Sequence, residues 1–189
     1  MAHMRYGFWI LTACILFVIG IGAGILVSAV VPEDIVEFFS EEMTALGELG
    51  EIFSPFELST AVFIYFKNVT ALILSFIFSP ILCLMPVIAL VFNGSFISFI
   101  STLVLQEESL GFLLLGLLPH GIFELPAFII GEAAALSFGA TTIYALFSKR
   151  GSNILMPVFK KNMKYLLLAF ILLIPAAIIE TYVTPLLLQ

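Results

Sequence analysis

The chain has 189 residues, of which 62% are hydrophobic and only 11% are charged, and its formal net charge is −6. Soluble domains are about 25% charged, so this composition excludes a soluble globular class and indicates an integral membrane protein. Because no stretch is polar enough for a soluble domain, we predict one polytopic membrane domain over residues 1–189. Its expected fold is an all-α helical bundle of five to six spans, surrounded by membrane lipid and without a nucleic-acid partner.

The first predicted span covers Tyr6 to Val31, which is 26 residues without a charge. This length is enough to cross a hydrocarbon core of about 30 Å. Gly20 and Gly24 are four residues apart, a spacing of small residues that lets another helix approach closely, and we interpret it as a packing seam. Residues 1–4 resemble a cloning remnant, so His3 is left out of functional reasoning.

Residues 33–57 form the one long polar connection, and they contain acidic residues but no Lys or Arg. Apolar residues recur there at three- and four-residue spacing, which predicts an external amphipathic helix. It lies on the bundle or membrane face, or it provides a docking surface for a partner protein, for which its acidic residues favour a basic partner. Simple anchoring at the membrane surface is the weakest of these interpretations, because anionic lipid would repel an acidic helix. The candidate partner-binding residues are Glu37, Glu41 and Glu42.

Two further spans are predicted at Leu58–Phe78 and Ile81–Leu105, and both contain polar residues at membrane depth. Lys67 is nine residues past Leu58, or roughly 13 Å deep at 1.5 Å per residue. This depth exceeds comfortable snorkelling, so we expect Lys67 to pair with an intramembrane glutamate. Asn68 and Asn93 are further candidate members of an intramembrane polar site.

The segment 110–148 is too long for one straight span and barely long enough for two. Pro119 and Pro126 lie inside it, and proline removes a helical hydrogen bond and clashes with the preceding turn. We therefore predict a broken or re-entrant helix here. A backbone break at membrane depth is tolerated only where it is buried in protein or lines a wet cavity.

Ionisable residues cluster at this predicted break. His120 and Glu124 are four residues apart and share a helix face, and Glu132 follows eight residues later. Ionisable groups at membrane depth cost at least ~2.5 kcal/mol each, so they tend to persist where they have a function. In the last span, Glu180 follows Pro175 by five residues, repeating the spacing found at Glu124. Paired proline-interrupted segments of this kind indicate a site at the membrane midplane.

Three interpretations of this polar constellation remain open. The carboxyl groups are structural and bond to carbonyls freed by the prolines, or they form an ion or proton path. The third interpretation is a divalent metal ion, since about three converging nitrogen and oxygen ligands suffice. The candidate metal ligands are His120, Glu124 and Glu180.

The distribution of charge predicts the topology. The linker 149–164 contains five of the seven cationic residues and should be cytoplasmic, and Arg5 places the N-terminus on the same side. Residues 33–57 are then external. Both assignments agree if 110–148 crosses the membrane once, which gives five crossings in a multi-pass protein of the cell membrane.

No catalytic motif is recognisable. The chain has no His-Glu-x-x-His helix, no Gly-x-Ser-x-Gly elbow and no phosphate-binding loop, and Asp34 is its sole aspartate. We therefore expect no enzymatic activity.

The residues resemble the stage II sporulation protein M family of multi-pass membrane proteins. The resemblance rests on the string Pro119-His120-Gly121-Ile122-Phe123-Glu124, on Asn68 and Asn93-Gly94, and on Pro175–Pro185 with Glu180. It implies a membrane scaffold of an envelope or cell-wall remodelling assembly; in spore formers such proteins localise a septal complex and recruit cell-wall hydrolases. The alternative function is a small transporter or channel, and a second copy of the chain is an alternative partner.

Overall fold

Apolar helices make up the regular structure of this protein. The structure is a computed structural model and describes residues 6–30, 55–148 and 152–188, among which there is no β-strand. The predicted all-α class is confirmed. The helices are α1 (Tyr6–Val30), α2 (Leu58–Phe78), α3 (Leu84–Glu107), α4 (Leu110–Phe147), α5 (Ser152–Tyr182) and the short α6 (Thr184–Leu187).

Helices α1 to α5 are each long and apolar enough to cross a membrane. Large apolar side chains cover their outer surfaces, such as Leu26 on α1, which is 70% exposed, and Ile122 on α4, which is 63% exposed. A helix satisfies its own backbone hydrogen bonds, so such a surface is stable in lipid. The chain is therefore a multi-pass membrane protein, with five candidate spans in the part that the structure describes.

Successive spans alternate in direction. Helices α2 and α4 run parallel, because Leu72 of α2 lies against Gly131 of α4 and Ser79, just after α2, lies against Gly139 further along α4. Helix α3 turns back from α2 after a five-residue corner at 79–83. This alternation is the arrangement expected when each helix crosses the membrane once.

Helix α5 packs along α4 in the most extensive helix pair of the bundle. The two helices run antiparallel, since Asn162 in the first half of α5 contacts Ser137 and Glu180 at its end lies beside Glu124. The end of α5 thus returns to the part of α4 that contains the polar residues.

The predicted break in segment 110–148 is not found. Helix α4 is continuous through both Pro119 and Pro126, as α5 is through Pro157 and Pro175. Proline is tolerated inside membrane helices because neighbouring helices and local adjustments compensate for the lost backbone bonds. At 1.5 Å per residue, the 38 residues of α4 extend about 57 Å, so this single crossing must be tilted or project beyond the membrane.

The glycine pair of α1 forms a seam with α3 of the same chain. A Cβ atom at Gly20 would collide with the Val91 backbone, and one at Gly24 would collide with the Ser95 carbonyl. A Cβ atom at Gly94 would collide in turn with the α1 backbone. The Ser95 Oγ atom also donates a hydrogen bond to the Gly20 carbonyl at 2.9 Å. The predicted close approach of a helix at Gly20 and Gly24 is therefore an intramolecular contact.

The corner between α2 and α3 contains two residues in the left-handed conformation, Leu82 (φ 53°) and Cys83 (φ 55°). This conformation costs roughly 1–2 kcal/mol for each L-residue, so packing must hold it in place. Ser79 is fully buried here, and its carbonyl lies where a Cβ atom at Gly139 would be. Burial raises the pKa of the Cys83 thiol, and this cysteine and Cys14 are both free.

The predicted acidic helix at 33–57 lies outside the described residues except for residues 55–57. Its candidate partner-binding residues Glu37, Glu41 and Glu42 lie outside them too, as do residues 1–4. The described end of this segment is attached to the bundle, because the Phe56 amide donates a hydrogen bond to the Thr181 carbonyl at 3.2 Å.

Candidate functional site

Three helices bring four polar side chains together. His120 and Glu124 come from α4 and Glu180 from α5, and one potential ligand atom of each lies within 4.8 Å of the other two. The fourth residue is Asn68 at the middle of α2, whose Nδ2 atom donates a hydrogen bond to Glu124 Oε1 at 3.1 Å. We refer to His120, Glu124 and Glu180 as the polar triad.

The triad forms because of helix periodicity and helix direction. His120 and Glu124 are one helical turn apart on α4, so both side chains point to the same neighbours. The His120 Nε2 atom lies 3.8 Å from Glu124 Oε2. Glu180 reaches this turn because α5 runs antiparallel to α4. The repeated proline-to-glutamate spacing in the sequence therefore corresponds to two glutamates that meet in the fold.

Hydrogen bonding does not satisfy His120. Its Nδ1 atom is buried and has no hydrogen-bond partner among the described residues. The 3.8 Å between Nε2 and the Glu124 carboxylate exceeds hydrogen-bond range. The side chains of His120 and Glu124 are 15% and 31% exposed, so the triad is accessible from outside the bundle. An undersatisfied imidazole beside two carboxylates is an arrangement that can bind a cation or a proton.

Lys67 does not form the predicted ion pair. Its side chain is exposed, and no carboxylate among the described residues lies within the 4.0 Å limit of a salt bridge. Residue depth along a helix gives the distance from the membrane surface but does not reveal which side chains on other helices lie within reach.

Glu132 lies in a different environment from the triad. It is only 1% exposed, and its Oε2 atom accepts a hydrogen bond of 2.5 Å from Ser75 Oγ on α2. Eight residues separate it from Glu124, or about 12 Å along α4. The structure therefore divides the predicted constellation into the triad and a separate carboxyl–hydroxyl pair.

Asn93 bonds to its own helix and not to the triad. Its side chain is exposed, and Nδ2 donates to the Ala89 carbonyl of its own helix at 2.8 Å. Asn68 and Asn93 therefore differ in role, although both are asparagines at membrane depth in the sequence. Among the predicted site residues, the structure brings together His120, Glu124, Glu180 and Asn68.

Sequence reasoning missed a second buried amide, Asn162. It is fully buried, and its Nδ2 atom donates to Ser137 Oγ at 3.2 Å, while its Oδ1 atom has no partner among the described residues. Asn162 falls in the segment 149–164 that was predicted to be a cytoplasmic linker. The prediction of a linker is wrong from Ser152 onward, because α5 begins there, whereas the predicted cytoplasmic side stays a prediction. The sequence signal that could have identified Asn162 was its position directly after Lys160 and Lys161, in a stretch whose residue pattern continues as a helix.

The fold and the triad define a class of protein: a multi-pass helical membrane protein, with five candidate spans among the described residues and ionisable residues of two of these spans in one cluster. The chain belongs to the Stage II sporulation protein M family, which it matches over residues 13–185. An uncharacterized protein of Methanocaldococcus jannaschii is 33% identical over 99 residues, which are 52% of this chain and 56% of that protein. No solved structure matches the chain.

Proposed function

We propose that this protein is a membrane scaffold of an assembly that remodels the envelope or cell wall, rather than an enzyme. The observation that supports the proposal is the family match over residues 13–185, which includes parts of all five spans. A scaffold needs a stable helical core and a surface that binds partners. The α-helical bundle supplies the first, and the acidic segment 33–57 is our candidate for the second.

The direction of the helices supports this assignment of surfaces. Helices α1 and α3 run parallel along their glycine seam, and α2 runs against α3, so Val30 and Leu58 lie at the same end of the bundle. Since α4 runs parallel to α2, its connection to α5 lies at the opposite end. We propose that segment 33–57 is external and that the basic residues 149–164 and the N-terminus are cytoplasmic, as the distribution of cations favours.

Cysteine labelling tests this topology. In a chain in which Cys14 and Cys83 are replaced by Ser, single cysteines are introduced as Glu42→Cys or Ser152→Cys. A membrane-impermeant maleimide added to intact cells should label the first variant and label the second only after permeabilisation. Labelling of both positions from the same side would contradict the five-crossing arrangement.

Cross-linking in cells tests the scaffold itself. The triple substitution Glu37→Lys, Glu41→Lys and Glu42→Lys reverses the charge of the proposed docking surface. We expect cell-wall or envelope proteins to be cross-linked to the unmutated chain and to be depleted at least tenfold with the triple variant. Glu108→Lys, a single reversal between α3 and α4, is the matched control. Equal recovery of the same proteins with the triple variant would overturn the docking surface.

Transport of a cation or proton is a second candidate function, and the polar triad is the specific observation that favours it. Residues that transport ions through membranes are ionisable, face the interior of the bundle and come from more than one span. Ion flux into liposomes that contain the purified chain measures this function directly. Flux that is unchanged by Glu124→Gln would exclude the triad from any such path.

A further inference from the structure

We propose that His120, Glu124 and Glu180 bind one divalent transition-metal ion, which joins α4 to α5 within the membrane. The two carboxylates and the imidazole come from two antiparallel helices, α4 and α5. The proposal does not depend on the scaffold function, because metal retention and partner capture are measured on different parts of the chain.

The separation of the donor atoms is close to what a single metal ion requires. Zinc binds histidine nitrogen and carboxylate oxygen at about 2.0–2.2 Å, so two donors on a tetrahedral ion are roughly 3.3–3.6 Å apart. The 3.8 Å between His120 Nε2 and Glu124 Oε2 is slightly longer than this spacing. Glu180 has its donor within 4.8 Å of the others, so binding of one ion requires the three side chains to move closer together.

The charges of the triad favour a dication over an empty cluster. Two carboxylates so close together in a medium of low dielectric repel each other unless a cation or proton lies between them. Lys67 is exposed and has no carboxylate within 4.0 Å among the described residues, so it does not fill this role by direct contact. A divalent ion would balance both carboxylates and would also give the undersatisfied His120 ring a ligand bond.

Asn68 fits the role of an outer partner of this site. Its Nδ2 atom donates to Glu124 Oε1 and would leave Oε2, the oxygen nearer to His120, free for the metal. Hydrogen bonds of this kind orient a ligating carboxylate and affect metal affinity 10–100-fold. Asn68 is thus a positioning residue.

The donor set selects the class of metal. One imidazole nitrogen with two carboxylate oxygens suits Zn²⁺ or Mn²⁺, whereas Mg²⁺ and Ca²⁺ prefer oxygen ligands alone. Three protein ligands would leave at least one position on the ion for water.

Glu132 provides a matched control on the same helix. It is also an intramembrane glutamate of α4, but its partner is Ser75 and it does not belong to the triad. Replacement by Gln removes a carboxylate at either position while keeping the size of the side chain. A loss of metal with Glu124→Gln but not with Glu132→Gln therefore separates loss of a ligand from general disturbance of α4.

The experiment uses the full chain without an affinity tag and with His3→Ala, purified in detergent, treated with chelator and then loaded separately with ZnCl₂ and MnCl₂. Elemental analysis after gel filtration should give about one equivalent of one of these metals in this background. We expect at least a tenfold loss with His120→Ala, Glu124→Gln or Glu180→Gln, a smaller loss with Asn68→Ala and no loss with Glu132→Gln. Each variant is compared only if it elutes as a single symmetric peak.

A spectroscopic measurement on the unmutated chain tests the proposal even if a substitution prevents folding. Co²⁺ added to the unmutated chain should give visible absorption bands that Zn²⁺ displaces, which reports the metal site without any mutation. Less than one tenth of an equivalent of both Zn²⁺ and Mn²⁺ in the loaded chain, together with the absence of such bands, would overturn the proposal. Equal retention by Glu124→Gln and Glu132→Gln would overturn it as well.

Discussion

Glu124 and Glu132 lie on the same helix, eight residues apart, in surroundings of opposite kind. Glu132 is almost completely buried and is bonded to the Ser75 hydroxyl, and no second ionisable group belongs to its pair. Glu124 is 31% exposed and lies among His120, Glu180 and Asn68. Two identical residues on one helix therefore have different parts in this protein.

The difference shows how to separate a structural carboxyl group from a functional one. A buried group with one good neutral partner has the interactions that it needs, and its removal should mainly affect stability. A partly exposed group beside another carboxylate and an unsatisfied imidazole has interactions that only a further ligand completes. Substitutions at both kinds of site should therefore change the free energy of unfolding by different amounts, and the largest effect is expected at Glu132.

Replacement of Glu132 should be the most damaging change. Glu132→Ala removes a buried side chain, leaves a cavity and leaves the Ser75 hydroxyl without its acceptor, so we expect a loss of about 2–4 kcal/mol. The free energy of unfolding is measured by titration with denaturing detergent in mixed micelles. Glu108→Ala, at the exposed turn before α4, is the control and should change nothing measurable. A similarly small effect of Glu132→Ala would contradict a structural role for the Glu132 carboxyl group.

Removal of the other partner of this pair should have a smaller effect. Ser75→Ala leaves the Glu132 carboxyl group buried without its donor, which costs about 1–3 kcal/mol. The double variant Ser75→Ala/Glu132→Ala should lose less than the sum of the two single losses, because the two groups interact directly. Strict additivity in the same detergent titration would mean that the 2.5 Å contact contributes no coupling.

Loss of the Asn68 amide should cost less than loss of the Ser75 hydroxyl. Asn68→Ala removes one hydrogen bond to Glu124, worth about 0.5–1.5 kcal/mol, and the Glu124 side chain is only partly buried. The measurement is again the unfolding free energy, made on metal-free protein. A loss greater than that of Ser75→Ala would show that the triad, and not the Glu132 pair, is the main polar contribution to stability.

Lys67 should have the smallest effect of the four positions. Its side chain is exposed and has no ion-pair partner within 4.0 Å among the described residues, so Lys67→Met should change stability by no more than about 0.5 kcal/mol. If unfolding measurements instead show a larger loss that Glu180→Gln restores, Lys67 neutralises the triad directly. In that case Lys67, like Glu132, would contribute to stability through a direct partner.

The sequence by itself determined the membrane class, the approximate spans and the family, because these depend on composition, on the length of apolar runs and on a short string of residues. The repeated spacing from Pro119 and Pro175 also indicated a midplane site, with Glu124 and Glu180 among its candidate residues. Ionisable residues stand out against an apolar background, so few candidates had to be considered.

Only the tertiary structure decided which candidates meet and how continuous the helices are. Helix α4 passes through Pro119 and Pro126 because neighbouring helices can compensate for lost backbone bonds, an effect that proline spacing alone does not reveal. Glu132 pairs with Ser75 and Lys67 stays exposed because α2 and α4 pack in one particular rotation. That rotation is set by small contacts between helices, such as Leu72 against Gly131, and these depend on side-chain shapes from distant parts of the chain.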